Sequence, residues 1–268
     1  MAGGERFTFG KNWRLFLSVI DEDRIQAAQD SLCRMLDVAD LRDRRFLDIG
    51  CGSGLSSLAA RRLGARVYSF DYDAESVACA RELQQRYCAN DPAWRIEEGS
   101  VLDAGYLAGL GCFDVVYAWG VLHHTGAMWQ ALESAGGLVA HGGRLFIAIY
   151  NDQGKISERW RAIKRTYNRL PRGLRFVVTV PVLVHLYWRR TLRDFLRLRP
   201  FETWRKEGEE RGMSAWRDLI DWVGGYPFEV AKPEAVIDFC LRRGFTLTRL
   251  TTCGGSLGCN EFVFTRTG

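Results

Sequence analysis

Histidine and proline are scarce in this 268-residue chain, at four and six residues. Only His123, His124, His141 and His185 therefore offer an imidazole for acid–base chemistry. The eight cysteines form no Cys-x-x-Cys pair. That spacing excludes a zinc ribbon and a regular disulfide framework, and reduced, mostly buried thiols are expected. Cys51, inside a glycine loop, reads as a small packed residue. The longest apolar run, Phe176 to Trp188, is broken by Pro181 and His185 and is shorter than the ~20 residues a bilayer span requires. Met1 to Gly10 shows neither a basic nor an apolar leader region, so a cytoplasmic location is expected. There is no internal repeat and no low-complexity tract.

What the chain does have begins at Phe46-Leu47-Asp48-Ile49-Gly50-Cys51-Gly52-Ser53-Gly54. A short apolar strand runs into an acid and three alternating glycines, and a helical run from Leu55 to Leu63 follows. Glycine permits the positive φ and the close backbone approach that a strand-to-helix turn around a ligand needs. The spacing is Asp-x-Gly-x-Gly-x-Gly rather than the Gly-x-Gly-x-x-Gly of dinucleotide sites, so no pyrophosphate is implied. Asp48 is placed for an ammonium group, directly or through water.

Further strands are expected at Arg66–Asp71, from Trp94 towards Asp103, at Phe113–Trp119 and at Gly143–Tyr150. Helical patterns separate them, which indicates crossovers and a mostly parallel sheet. Asp71 ends the second strand about 20 residues after the glycines, where ribose-binding acids occur in such folds. It or Asp73 also suits the cap of the helix Ala74–Tyr87. A helix from Pro233 to Arg243 and strands at Leu247–Thr252 and Glu261–Thr265 close the chain. Residues 1–40 form a helical N-terminal cover, with Trp13, Leu15, Phe16, Ile25, Leu32 and Met35 at helical spacing. Residues 41–150 form a Rossmann-like core, 151–231 an inserted helical lid, and 232–268 the last helix and two strands.

The insertion is chemically distinct. Lys155 to Arg217 carries 3 Lys and 14 Arg against 6 acids, whereas the whole chain is only +5. Trp160, Trp188, Trp204, Trp216 and Trp222 fall between Asn151 and Ala231, with Tyr167, Tyr187 and Tyr226. Arginine with aromatics suits an anionic acceptor, an anionic membrane surface or nucleic acid. A solvated basic face over an aromatic core accounts for the same residues. His185, within the apolar run, reads as a core histidine, and His141 beside Gly142-Gly143 as a turn residue.

On the glycine loop, the second acid and the strand order, the chain resembles the class I S-adenosylmethionine-dependent methyltransferases. The small-molecule branch that includes the ubiquinone-biosynthesis type is the nearest in pattern. The resemblance implies an α/β fold: a doubly wound, mostly parallel seven-stranded sheet whose terminal strand is antiparallel, with the lid after the fifth strand. It implies S-adenosylmethionine as cofactor. Asp48, Gly50, Cys51, Gly52 and Gly54 then flank its methionine part, Asp71 and Tyr72 its ribose, and Ser100 and Val101 its adenine. The family more often shows Asp at the position of Ser100, so adenine recognition passes to Asp103 or a backbone carbonyl. Trp119 to His124 matches the segment that faces the transferred methyl, with His124, then His123, as candidate base.

Tyr150 and Asn151, at the carboxyl end of the fifth strand, are expected to edge the acceptor pocket, Tyr150 with a catalytic role or as a core ring. Tyr226, Glu229 and Asn260 are further acceptor contacts, or parts of plain turns and strand starts. No carboxylate cluster suggests a metal. The acceptor is expected to be a small molecule, anionic or aromatic, methylated on oxygen. Carbon methylation of an isoprenoid diphosphate, methylation of nucleic acid or protein, and cofactor binding without turnover are the alternatives. The absence of an Asn/Asp-Pro-Pro-aromatic motif argues against nucleic acid, and membrane contact is not favoured.

Overall fold

The computed structural model describes residues 17–196, 220 and 222–268. The expected helix around Trp13, Leu15 and Phe16, and Trp204 and Trp216 of the insertion, lie outside them. Two compact units emerge: a core unit of residues 9–154 and 229–268, and an insertion unit containing Lys155–Phe228.

The core unit opens with α1 (Glu22–Leu36), β1 (Arg45–Ile49), α2 (Leu55–Arg62), β2 (Arg66–Asp71), α3 (Ala74–Tyr87) and β3 (Trp94–Glu98). It continues with α4 (Ala104–Ala108), β4 (Phe113–Trp119), a 3-10 turn at Leu122–His124, α5 (Met128–Gly137) and β5 (Val139–Tyr150). The insertion unit holds α6 (Lys155–Arg169) and α7 (Phe176–Leu196), and the core resumes with α8 (Pro233–Leu241), β6 (Phe245–Thr251) and β7 (Cys259–Arg266).

The seven strands order as β3-β2-β1-β4-β5-β7-β6. The first five pair in parallel, and β7 runs antiparallel between β5 and β6. Strand order reverses between β1 and β4, so their carboxyl ends open the crevice where ligands bind in such sheets.

Strand period decides which side chains face which layer. Leu47 and Ile49, Leu145, Ile147 and Ile149, and Phe262 and Phe264 pack towards α5 and α8. Their neighbours Phe46, Phe146 and Val263 face the opposite way, onto α1, α2 and α3. Phe262 and Phe264 stack with centroids 5.9 Å apart. Each fully buried ring of this kind contributes about 1.5–3 kcal/mol against exposure. On the α1 side, Ile25, Leu32, Met35 and Leu36 pack within that second layer, so the described N-terminal helix is continuous with the core.

Local chemistry sets the boundaries. Asp21 caps α1 by accepting from Arg24 N at 2.9 Å, and Asp73 caps α3 by accepting from Glu75 N at 3.0 Å. Asp103 does the same for α4 through Tyr106 N, 3.0 Å away. The fifth strand begins earlier than expected, at Val139. Gly142-Gly143 reads as a turn in sequence but forms an irregular stretch of the strand, where the β4–β5 register shifts. A Cβ at Gly143 would meet the Ala140 and Asp114 carbonyl oxygens at 2.9 and 3.0 Å, which explains the glycine. His141 is accordingly an exposed strand residue. The eight cysteines are free, but fewer are buried than expected: Cys51, Cys79 and Cys240 are, four others are partly so, and Cys112 is exposed.

Within the insertion unit, α6 buries Ser157, Trp160, Lys164, Tyr167 and Asn168 along one stripe. The stripe meets residues 222–228. Asn168 Nδ2 donates to Gly224 O at 2.8 Å, Arg161 Nε to Phe228 O at 3.2 Å, and Arg165 Nε to the Tyr226 hydroxyl at 3.3 Å. Lys164 Nζ donates to Trp222 O and lies 4.1 and 4.9 Å from the Trp222 and Phe228 ring centroids. Burial pushes its ammonium down to about 7 from the usual 10.5. His185, read in sequence as a core histidine, is exposed on α7. The run that holds it is amphipathic rather than buried on all sides, so its inward places go to Thr179 and Val182 instead.

A lysine with a depressed folded pKa binds fewer protons folded than unfolded, so its penalty grows as pH falls from about 10.5 to about 7 and is constant below. Urea unfolding should accordingly show stability rising from pH 7 to pH 10. Lys164→Met should flatten that rise, and an unchanged slope in the variant would assign it to other groups.

Candidate active site

The glycine loop leaves β1 with three alternating glycines in the left-handed region: Gly50 at φ 70°, Gly52 at 54° and Gly54 at 84°. Gly50 N and Cys51 N both donate to Phe70 O, at 2.8 and 3.2 Å, which fastens the loop to β2. A Cβ at Gly50 would lie 2.5 Å from Val121 Cγ1, and one at Gly54 would lie 3.0 Å from Ala80 Cβ. The loop thus presses directly on the segment that follows β4. Gly54 supplies no side chain to cap α2, so the first turn of that helix is left to a ligand or solvent.

Two acids stand at this point. Asp48 is buried, and its Oδ2 accepts from Ser57 Oγ at 2.5 Å. Ser57 Oγ lies 2.6 Å from Ser69 Oγ, which in turn accepts from Trp94 Nε1 at 2.9 Å. The indole has only a donor to give, so the chain of hydrogen bonds runs from Trp94 through Ser69 and Ser57 to the carboxylate. Asp71 accepts from Gly52 N at 3.0 Å and from Asp73 N at 2.9 Å. The choice between Asp71 and Asp73 is thereby settled as far as the cap goes: Asp73 caps α3 and Asp71 turns to the loop. Burial drives both acids upward, Asp48 to about 7 from the usual 3.8, with the Asp71 charge adding to the effect. Among the described residues neither carboxylate enters a salt bridge. A buried acid with a second, partly buried acid beside it makes a site that favours a cation.

On the β4 side, the 3-10 turn brings three rings together. His123 is buried, its centroid 4.6 Å from His124 and 4.0 Å from Tyr150, and His124 meets Tyr150 edge-on at 5.5 Å. His124 is only partly buried and is the more accessible of the pair. Burial raises the Tyr150 phenol above its ordinary range.

Residues 47–147 match the model of a family described as a methyltransferase domain. The chain is 33% identical over 112 residues to the ubiquinone biosynthesis O-methyltransferase of Xanthomonas oryzae pv. oryzae (strain PXO99A), covering 42% of this chain and 45% of that one. It is 32% identical over 106 residues to the ribosomal protein L11 methyltransferase of Escherichia coli O8 (strain IAI1), covering 34% of this chain and 35% of that protein. The chain thus spans less than half the length of these curated relatives. In fold, it is similar to magnesium protoporphyrin IX methyltransferase from Synechocystis PCC 6803, solved with bound SAH. The TM-score is 0.56 at 15% identity, over 96% of this chain and 94% of that one.

Within the core and its C-terminal strands, the other expected site residues fall into distinct places. Tyr72 and Trp119 are exposed at the ends of β2 and β4, and Trp119 Nε1 donates to Glu261 Oε1 at 2.9 Å. Val101 is buried in the core, while Ser100 Oγ accepts from Leu102 N at 3.2 Å. The Asp103 carboxylate is engaged in capping α4, so a backbone group is the freer of the two expected partners for adenine. Cys51 is buried, and burial beside Asp48 and Asp71 pushes its thiol well up, which keeps it protonated.

Three expected acceptor contacts are tied up in structure. Glu229 Oε2 accepts from Met128 N at 3.1 Å, at the start of a helix whose cap residue, Ala127, has no oxygen to offer. Glu229 N also donates to His123 O at 3.0 Å, fixing the histidine turn. Asn260 is buried, donates to Asn151 Oδ1 at 3.1 Å and accepts from Cys253 N at 3.1 Å. These amides hold the β5–β7 edge to the 253–258 loop. Tyr226 belongs to the insertion unit, where Arg165 meets its hydroxyl.

Sequence reasoning missed Ser57, Ser69 and Trp94. Their only signal was two small hydroxyl residues and one indole on inward-facing positions of α2, β2 and β3, where aliphatic side chains would otherwise be usual.

The raised acid has a measurable consequence. Asp48 is protonated in both states below about pH 4. Between pH 4 and 7 the folded state keeps a proton that the unfolded chain has lost, so stability falls as pH rises and levels off above 7. In ligand-free protein Asp48 should contribute a loss of up to roughly 4 kcal/mol across that window, and Asp48→Asn should remove that share. Equal pH profiles for the two proteins in denaturant titrations would refute this assignment.

Proposed function

We propose that this protein is an S-adenosylmethionine-dependent methyltransferase that moves a methyl group to the oxygen of a small-molecule acceptor. The observation that carries the reading is that Val121 Cγ1 would lie only 2.5 Å from a Cβ at Gly50, within a chain whose residues 47–147 match a methyltransferase domain. It makes the glycine loop and the histidine turn two walls of one crevice.

The residues present suit that cofactor. Asp48, buried and outside any described ion pair, offers an anionic partner to its ammonium group. Both Asp71 oxygens already accept backbone N–H bonds, which orient the carboxylate towards the loop for a ribose hydroxyl. The three glycines leave the cradle that Cβ atoms would fill. When bound, the cofactor supplies a methyl group activated by the sulfonium charge, so the protein's work is alignment and exclusion of water.

His124 is proposed as the base that takes the hydroxyl proton of the acceptor as the new oxygen–carbon bond forms and the carbon–sulfur bond breaks. His123, held between His124 and Tyr150 and anchored through its carbonyl to Glu229 N, positions that ring. Tyr150, with a raised phenol pKa, remains a phenol and lines the crevice without acting as base. Preference for oxygen rests on this base, which a more nucleophilic acceptor would not need. The O-methyltransferase among the curated relatives is in line with it.

Transfer of label from methyl-labelled S-adenosylmethionine into a cell extract tests the reading. Label is expected in the small-metabolite fraction, with His124→Ala lowering incorporation by roughly 10²–10⁴ at nearly unchanged cofactor affinity. Label confined to protein or nucleic acid would overturn the acceptor class, and full activity in the variant would remove His124 from the chemistry. In calorimetric titration, Asp71→Ala should weaken cofactor binding by about 1.5–3 kcal/mol. Unaltered affinity would take Asp71 out of the site.

A further inference from the structure

We propose that the insertion unit docks on an anionic lipid bilayer, with α7 lying in the plane of the membrane surface. The apolar residues of α7 are on its outside. Phe176, Val177, Val180, Val184 and Trp188 are 58, 55, 45, 56 and 49% exposed. Phe176, Val180, Val184 and Trp188 recur every four residues, and with Val177 they occupy an arc of about 120° on the helix surface. Thr179 and Val182, on the opposite side, are the buried ones. A helix that turns Val and Phe to water and a threonine inward is reversed from the usual amphipathic pattern, and such a patch marks an interaction surface.

The charge around it identifies the occupant. Over residues 155–196, eleven Lys and Arg stand against two acids. On α6 of the same unit, Lys155, Arg159, Arg165 and Arg169 are exposed. In the sequence, Arg172 and Arg175 immediately precede the apolar stripe, and Arg189, Arg190 and Arg193 follow it. Aliphatic and aromatic side chains between arginine clusters suit a surface with hydrocarbon below and negative charge above, as a bilayer with anionic headgroups provides. Nucleic acid would use the arginines and aromatics but gain little from three valines. A second copy would bring equal positive charge against the same face. No helix among the described residues is long and apolar enough to cross a membrane, so the contact lies on the surface.

Co-sedimentation of the full chain with vesicles tests the proposal, comparing phosphatidylcholine alone with phosphatidylcholine containing phosphatidylglycerol. Wild type should sediment with the anionic vesicles, less with the neutral ones, and less again at high salt. Val180→Asp combined with Val184→Asp should lower binding by about tenfold or more at an unchanged melting temperature, since both positions face solvent. Phe176→Ser, a milder change on the same stripe, should lower it in the same direction and decides the matter if the double variant melts early. Absence of wild-type binding to anionic vesicles, or equal binding by the folded variants, would overturn the proposal. So would a dimer in light scattering that Val180→Asp/Val184→Asp dissociates without any vesicle binding, which would make the stripe a self-interface.

Discussion

Burying the Asp48 carboxylate at the end of β1 is the constraint around which the rest of the core is arranged. An acid in that position is costly to ionise, and the structure compensates with a directed line of donors, Trp94 to Ser69 to Ser57, drawn from three separate elements. This requires β1, β2 and β3 to be in register and α2 to follow the loop at once, so that Ser57 returns over the strand it came from. Glycines at 50, 52 and 54 are what make so abrupt a return feasible. The crevice, the cap on α3 and the orientation of Asp71 all follow from that geometry.

The second constraint is on the other wall. A histidine turn after β4 is short and has few backbone bonds of its own. It is held from outside by Glu229, whose side chain caps α5 and whose amide reaches His123. Glu229 comes from far along the chain, on the return from the insertion into α8. On either side of the insertion the core chain is pinned, with Asn151 N donating to Gly258 O and Glu229 N to His123 O.

Much of this was legible in the sequence because it rests on local rules. Alternation marked the strands, and β2 and α3 fall on the boundaries that the pattern predicts. The glycine spacing and Asp71 marked the loop and its partner strand. What was not legible depends on long-range pairing. Nothing in the neighbourhood of Glu229 says that it caps a helix a hundred residues earlier, and Asn260 carries no mark of its bond to Asn151. Gly142-Gly143 carries a genuine turn signal that the β4 pairing overrode. His185 was misplaced because an apolar run seen without its partners does not say which of its faces is covered.

The close fit of Val121 against Gly50, where a Cβ would lie 2.5 Å from Cγ1, joins two stretches of chain some seventy residues apart. Neither position is then free to drift alone over evolutionary time. Enlargement at 50 is tolerable only with contraction at 121, and the positive φ at Gly50 penalises even that exchange. The wall that carries the histidines is thus geometrically dependent on the wall that carries the acids, so the crevice width is inherited as a single trait.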